Sequence, residues 1–265
     1  MRFLVLFLIL FAEKLNAQIN SGARSMAMAN AATALNDVYS LGSNQAGIAS
    51  LKRSELAFAF QEHNYSTNVR SIAAFLVFPS NIGVFGLYAN NYSLSQNFNE
   101  LRTGLTLSRL LTSKLAISGT LNYNQLSISD YGINRTLSFD LGFQYRLSED
   151  WVLGVHLNNP AAYVTVKKSS YNVPAQIRLG TSYVLSDQIL LAIDSEYDLD
   201  DYFDFRFGLE YSIINRVNLR GGTSLLPFKQ YMGAGIDFNK ISVDAASSFH
   251  PQLGISSQLS LNYAF

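Results

Sequence analysis

The sequence predicts an all-β fold: a closed antiparallel transmembrane β-barrel of about fourteen strands, with an N-terminal plug or cap segment. Three observations carry that expectation. Apolar residues make up 48% of the 265-residue chain and charged residues only 14%, where a soluble domain carries roughly 25% charge. From Glu55 onward apolar and polar residues alternate with period two, in segments of about ten residues that match a tilted membrane strand better than the shorter strands of soluble sheets. The connections between these segments alternate between very short and longer, as they do at the two rims of an outer-membrane barrel.

The composition also excludes. The 19 basic and 19 acidic side chains cancel, which argues against nucleic acid as a partner because phosphate binding needs a basic surface. The chain has no cysteine, so disulfides, thiolate metal sites, Cys nucleophiles and a lipoprotein anchor are out. No cofactor is expected.

In chain order, residues 1–17 read as a secretory signal peptide: Arg2, an apolar run over 3–12, and a closing Leu15-Asn16-Ala17. The apolar run is about ten residues, short of the roughly 20 that a spanning helix needs. Residues 18–54 form the plug or periplasmic segment. Its stretch 25–35, rich in Ala and Met, predicts a small-residue helix broken at Asn36-Asp37 and at Gly42-Ser43-Asn44. The segment is too polar to span and too apolar to hang free, so it is expected to fold inward.

The barrel proper is residues 55–265. Its strands parse near 55–64, 69–78, 82–91, 100–111, 114–128, 135–147 and 151–158, then 174–185, 188–197, 204–213, 216–223, 229–238, 241–249 and 256–265. The alternation is clearest where Leu137, Phe139, Leu141, Phe143 and Tyr145 oppose Ser138, Asp140, Gly142, Gln144 and Arg146, and where Phe205, Phe207, Leu209 and Tyr211 oppose Arg206, Gly208 and Glu210. Even-numbered strands end in tight turns such as Thr112-Ser113, Ser186-Asp187 and Asn239-Lys240, while the longest odd connection runs over 159–173. Tight turns belong to the periplasmic rim, and an even strand count puts both termini there. Twelve strands are the alternative count.

A soluble β-sandwich would also alternate, but its outward face would be the charged one. Here the charges share the other face. Aromatic residues at strand ends, Tyr88, Tyr92, Tyr123, Tyr145, Trp151, Tyr183, Tyr197, Tyr202, Tyr211 and Tyr263, suit interfacial girdles. In lipid the sheet must close. The inward charges then form a lumen ladder of both signs: Asp140, Arg146, Arg178, Asp194, Glu196, Arg206, Glu210 and Arg220, with Asp237 and Asp244 later. Opposed charges on neighbouring strands pair, and balanced signs favour a rigid filled lumen over a charge-selective pore.

The run Gly22-Ala23-Arg24-Ser25-Met26-Ala27-Met28-Ala29-Asn30-Ala31, then Leu35-Asn36-Asp37 and Asn44-Gln45-Ala46-Gly47-Ile48-Ala49, resembles the N-terminal pattern of the PorV/PorQ group, FadL-like outer-membrane proteins of Bacteroidetes. Gln45 stands where that pattern has proline. The ending from His250-Pro251 and Gly254 through Tyr263 to Phe265 resembles the last hairpin of the same group and supplies a C-terminal assembly signal. The resemblance implies a fourteen-stranded barrel with an inserted N-terminal segment and marks Gly22, Arg24, Met26, Asn36, Asp37, Asn44 and Gly47 as its plug motif. It also implies two roles. PorV- and PorQ-like proteins serve type IX protein secretion through protein partners or cargo, the leading expectation here. FadL relatives carry hydrophobic molecules across the outer membrane, the alternative. The expected partners in either case are outer-membrane lipid, lipopolysaccharide and the barrel assembly machinery.

No enzyme is expected. Of three histidines, His156 lacks any triad-like context and reads as a lumen hydrogen-bonding residue. His63 and His250 fall at loop edges, too few for a metal site. Asp198, Asp200, Asp201 and Asp204 match no calcium-loop spacing and read as a solvated turn. Lys167-Lys168 in the longest loop meet lipopolysaccharide phosphate or water.

Overall fold

The structure is a computed structural model that describes residues 21–63, 68–95, 97–163, 173–198 and 203–265. The expected signal peptide, Lys167, Lys168, Asp200, Asp201 and Tyr202 lie outside the described residues. The strands are β1 (Glu55–Glu62), β2 (Val69–Ser80), β3 (Gly83–Leu94), β4 (Phe98–Leu110), β5 (Leu115–Ile128), β6 (Gly132–Arg146) and β7 (Trp151–Asn158). They continue as β8 (Gln176–Ser186), β9 (Ile189–Asp198), β10 (Phe203–Ile214), β11 (Val217–Leu225), β12 (Phe228–Phe238), β13 (Ile241–His250) and β14 (Gly254–Ala264). Each strand pairs antiparallel with its sequence neighbours, and β1 pairs with β14 from Glu55↔Ala264 to Glu62↔Ser257, closing the barrel at fourteen strands. Closure is what a sheet in hydrocarbon requires, because it leaves no edge of unpaired backbone groups.

The burial pattern follows the sequence period. On β10, Phe205 and Phe207 are 39% and 40% exposed while Arg206 between them is 5% exposed, so apolar side chains face outward and charges face in. Among the described residues no helix is long and apolar enough to cross a membrane. Tyr145, Trp151, Tyr183, Tyr211 and Tyr263 stand exposed near the short-turn rim, where Trp151 and Tyr183 meet edge to face at 6.0 Å and Trp151 Nε1 donates to Thr181 Oγ1 at 2.7 Å. Tyr88 is a correction to the girdle. It shares the inward parity of Val84 and Gly86, is buried, and donates its hydroxyl to Asn122 Oδ1 at 2.7 Å. A phenol inside the barrel finds a partner just as one at an interface finds water.

The wall is uneven. Among the described residues, 132–139 of β6 pair with β5 alone, the β6–β7 ladder running from Asp140↔Asn158 to Arg146↔Val152.

The expected helix over 25–35 is a second correction. The helix α1 spans only Gly22–Ala27. Asn30 N donates back to Ser25 O at 2.7 Å, and Ala29 and Asn30 take left-handed backbone conformations (φ 57° and 58°), a helix closure of the Schellman type. Two 3-10 turns follow, Val38–Gly42 and Gln45–Ser50, capped by Asp37 and Asn44 side chains.

Candidate functional site

Residues 21–51 lie against the inward faces of strands all around the barrel. Helix α1 packs Ala23, Met26 and Ala27 on Ala246 and Tyr231, and Ala23 N donates to Ser260 Oγ at 3.1 Å. The chain then continues through the lumen as an irregular, turn-containing stretch of small residues held by side chains from the wall. Asp194 Oδ2 accepts from Ala32 N (3.0 Å), Thr33 N (3.0 Å) and Thr33 Oγ1 (2.6 Å). Gln144 Nε2 donates to Thr33 O (3.1 Å) and Leu35 O (3.0 Å), and Ser182 Oγ donates to Ala34 O at 3.0 Å. Asn44 Nδ2 bridges Thr33 O (2.8 Å) to Phe143 O (3.0 Å). These bonds replace the intrahelical ones, which is why a stretch of good helix formers is not helical here.

Glycines on the facing strands allow that close approach. A β-carbon on Gly208 would stand 2.7 Å from Met28 Cβ, and one on Gly154 would stand 2.7 Å from Thr33 C, distances no side chain tolerates.

The lumen charges form two chains of ion pairs. Arg24 fixes the first: its Nε and Nη2 fork onto Glu210 (2.8 Å each) while Nη1 reaches Asp37 at 2.7 Å. Glu210 continues to Arg220 Nε (2.5 Å), and Arg220 Nη1 reaches Asp244 (2.5 Å). Burial alone would lower the Arg24 pKa, but the carboxylates of Glu210 and Asp37 outweigh it and hold it above its ordinary value. The second chain runs from Asp204 through Arg206 (2.9 Å) to Glu196 (2.8 Å) and Arg178 (2.9 Å). The Arg178 Nε–Glu196 contact has an ion pair's distance without hydrogen-bond angles, so Coulomb attraction holds it. A separate pair joins Arg102 Nη2 to Asp140 at 2.7 Å, with Tyr88 and Asn158 completing the shell.

Several sequence expectations therefore land elsewhere. Arg146 has the inward parity but sits exposed at the short-turn rim, and among the described residues it makes no ion pair. Asp194 pairs with no cation among those residues; it binds the crossing stretch. Asp198 and Asp204 are buried, not solvated: Asp198 accepts from Gln176 at 3.3 Å, and Asp204 Oδ1 accepts from Leu225 N and Leu226 N at 3.2 and 2.9 Å. His156 is buried, with both ring nitrogens lacking a hydrogen-bond partner among the described residues, unlike the bonded residue expected. Among those residues no trio of His, Asp or Glu is placed to hold a metal ion.

The N-terminal motif residues divide by role. Gly22 (φ 81°) lies under the Tyr39 ring, Met26 packs in the α1 cluster, Asn36 is exposed, and Gly47 passes against Ser40. At the other end, His250 Nδ1 accepts from Gln252 N and Leu253 N (3.1 Å each), folding the turn around exposed Pro251, and Gly254 follows at φ 90°. Tyr263 stacks on Phe265 at 5.9 Å. Arg102, Thr33 and Gln144 hold the lumen together without being marked as site residues by the sequence pattern. Arg102 had a usable signal, an inward parity shared with Gly104, Thr106 and Ser108.

One sector is different. The inward face of β1–β3 presents Ala57, Ala59, Ala73, Phe75, Val77, Val84 and Tyr88, packed on Val38, Tyr39, Leu41 and Ile48 of the N-terminal segment. Apart from Glu55, which accepts from Asn262 Nδ2 at 2.8 Å, the inward charges lie on the remaining wall.

No family model and no curated protein matches the sequence. Solved structures do match. The CymD monoaromatic hydrocarbon channel superposes with a TM-score of 0.73 at 15% identity, covering 94% of this chain and 98% of that one. The Ralstonia pickettii toluene transporter TbuX gives 0.68 at 13% identity and a Pseudomonas aeruginosa FadL homologue 0.66 at 11%, each with 94% and 98% coverage. The chain has the fold of the FadL-type outer-membrane barrels. A FadL-type barrel is an integral outer-membrane architecture, and these neighbours are channels and transporters rather than enzymes.

Proposed function

We propose that this protein is an outer-membrane channel for hydrophobic small molecules, with both termini periplasmic and residues 21–51 as its plug. The observation that carries the reading is a lumen filled by the chain's own segment, in a fold whose solved neighbours are described as hydrocarbon channels and toluene transporters. Passage requires the segment to shift, and its hold is divided: polar anchors on one side, apolar contact on the other. Lipid surrounds the apolar belt, lipopolysaccharide meets the long-loop rim, and the assembly machinery reads the ending at Tyr263 and Phe265. The test is entry of N-phenyl-1-naphthylamine, a dye that intact lipopolysaccharide excludes, into cells carrying the protein in their outer membrane. Faster entry is expected; unchanged entry with heat-modifiable barrel present overturns the reading.

A second reading, an accessory of type IX protein secretion of the PorV/PorQ kind, is favoured by the N-terminal run from Gly22 to Ala31 with Asp37, Asn44 and Gly47. It predicts that secretion components or cargo accompany the barrel through gentle-detergent pull-down, and recovery of the barrel alone counts against it.

A further inference from the structure

We infer that the inner wall of β1–β3 is the binding strip for an uncharged aromatic or alicyclic small molecule, and that Val38, Leu41 and Ile48 are surrogate occupants which that molecule displaces. This rests on the transport reading above and adds to it a place and a ligand class.

The lumen wall is segregated by chemistry. The interior of an outer-membrane barrel is ordinarily polar, and from β4 round to β13 this one is: Arg102, Asp140, Arg178, Asp194, Glu196, Asp204, Arg206, Arg220 and Asp244 all point into the lumen there, buried or nearly so. The inward residues of β1–β3 in the same part of the lumen are mainly Ala, Phe, Val and Gly; their polar margin is Ser71, Asn90, which stands across the ladder from Ala73 and Arg102, and the Tyr88 hydroxyl, which receives the Arg102 Nε hydrogen bond at 2.9 Å. A wall whose only task is rigidity has no need to separate the two chemistries.

The shape of the strip also suits a ring. Ala57, Ala59, Ala73 and Gly86 form a trough of small residues, and the trough is filled by long ones from the segment: a β-carbon on Gly86 would stand 3.0 Å from Ile48 Cδ1. Phe75 floors it and offers a ring to an edge-to-face partner, the role Tyr39 plays at 5.6 Å. The aliphatic side chains of Val38, Leu41 and Ile48, with the Tyr39 ring beside them, fill the space that a one- or two-ring hydrocarbon would take.

The N-terminal segment is attached to this strip by apolar contact. Among the described residues no side-chain hydrogen bond joins residues 38–50 to β1–β3; the side-chain hydrogen bonds from this stretch to the barrel wall reach β4 and β6 (Ser108 Oγ to Ala46 O, Asn44 Nδ2 to Phe143 O). An apolar molecule can exchange for these contacts without breaking an ion pair, since hydrophobic contact is non-directional. The route is marked as well. At the long-loop rim of the same sector, His63, Tyr92 and Phe98 meet edge to face at 5.5 and 6.1 Å, an aromatic mouth above the strip.

The test uses the full-length protein in lipid nanodiscs with a photoactivated benzophenone, cross-links being mapped by peptide mass spectrometry. Cross-links are expected on Ala57, Ala59, Phe75 or Val77, reduced by excess toluene. Leu41→Ala, which empties part of the trough, should raise that labelling about tenfold or more, and Ala73→Phe, which fills it, should abolish it. Lumenal cross-links confined to β7–β11 overturn the strip and leave the transport reading standing. The strip also falls alone if labelling is confined to lipid-facing residues while dye entry is accelerated. Absent lumenal labelling together with absent dye entry overturns both. Should Leu41→Ala lose its heat-modifiable mobility, the wild-type map and Ala73→Phe decide by themselves.

Discussion

Asp194→Ala removes the acceptor for three hydrogen bonds that fix the crossing stretch, from Ala32 N, Thr33 N and Thr33 Oγ1. A bond to a charged acceptor contributes about 1.5–3 kcal/mol, and each buried donor left without a partner costs about 1–3 kcal/mol. Against this, the variant no longer buries a carboxylate that has no directly paired counter-ion, a relief of several kcal/mol. The net loss expected in the segment's hold is about 2–4 kcal/mol, equivalent to a roughly 30- to 700-fold rise in local opening. The chain has no cysteine, so a single Ala34→Cys, placed at a fully enclosed position beside Thr33, reports opening through its rate of maleimide labelling in nanodiscs. Asp194→Ala in that background should accelerate labelling by the stated factor, and Asp194→Asn, which keeps one oxygen acceptor, should fall between. Equal labelling rates for Ala34→Cys with and without Asp194→Ala, both barrels remaining heat-modifiable, would refute the reasoning.

Arg24→Met breaks the clamp onto Asp37 and Glu210, yet Glu210 keeps Arg220; a loss of about 1–3 kcal/mol follows, seen as a lower midpoint for thermal loss of heat-modifiable mobility. Gly154→Val drives a side chain into the Thr33 backbone, an overpacking cost of about 1–3 kcal/mol that should speed maleimide labelling of the Ala34→Cys reporter while the barrel stays intact. At the long-loop rim, burial, aided by the charge of Lys229, pushes the His63 pKa down to about 4. Its unfolded value is about 6.5, so the unfolded chain binds the extra proton first: stability should fall as pH drops from about 6.5 toward 4, by at most about 3 kcal/mol, and level off below. His63→Gln should remove that slope in unfolding midpoints measured across the range.

Which features were legible in the sequence follows from how local their causes are. Strand period is local, so β7 appears at 151–158 in both sequence and structure and the other strand ends differ by a few residues. The inward charges were legible from the same parity. What a charge binds is not local: Asp194 and Glu196 are two residues apart on one face, yet one holds the backbone of Thr33 and the other holds two arginines. The short helix α1 was overextended because Ala-rich composition favours helix and only the wall's side chains draw 31–35 out of it. Tyr88 misled because a tyrosine near a strand end suits both a girdle and a lumen, and only the parity of Gly86 separates them. Asp198 and Asp204 misled because residues flanking an acidic turn look solvated until a neighbouring strand covers them.

The low sector of the wall bears on the surrounding bilayer. The eight residues of β7 reach about 27 Å along the strand, which a tilt of 35–45° reduces to about 20 Å of height, less than the roughly 25 Å apolar belt of such barrels. The fifteen residues of β6 rise well above it. Among the described residues the wall at β7 is therefore lower than such a belt, while at β4–β6 it is not; in a bilayer this would be a hydrophobic mismatch confined to one side of the molecule. A barrel of this shape would give its bilayer a direction: a local dent in thickness, fixed in azimuth by where the described β6–β7 ladder stops.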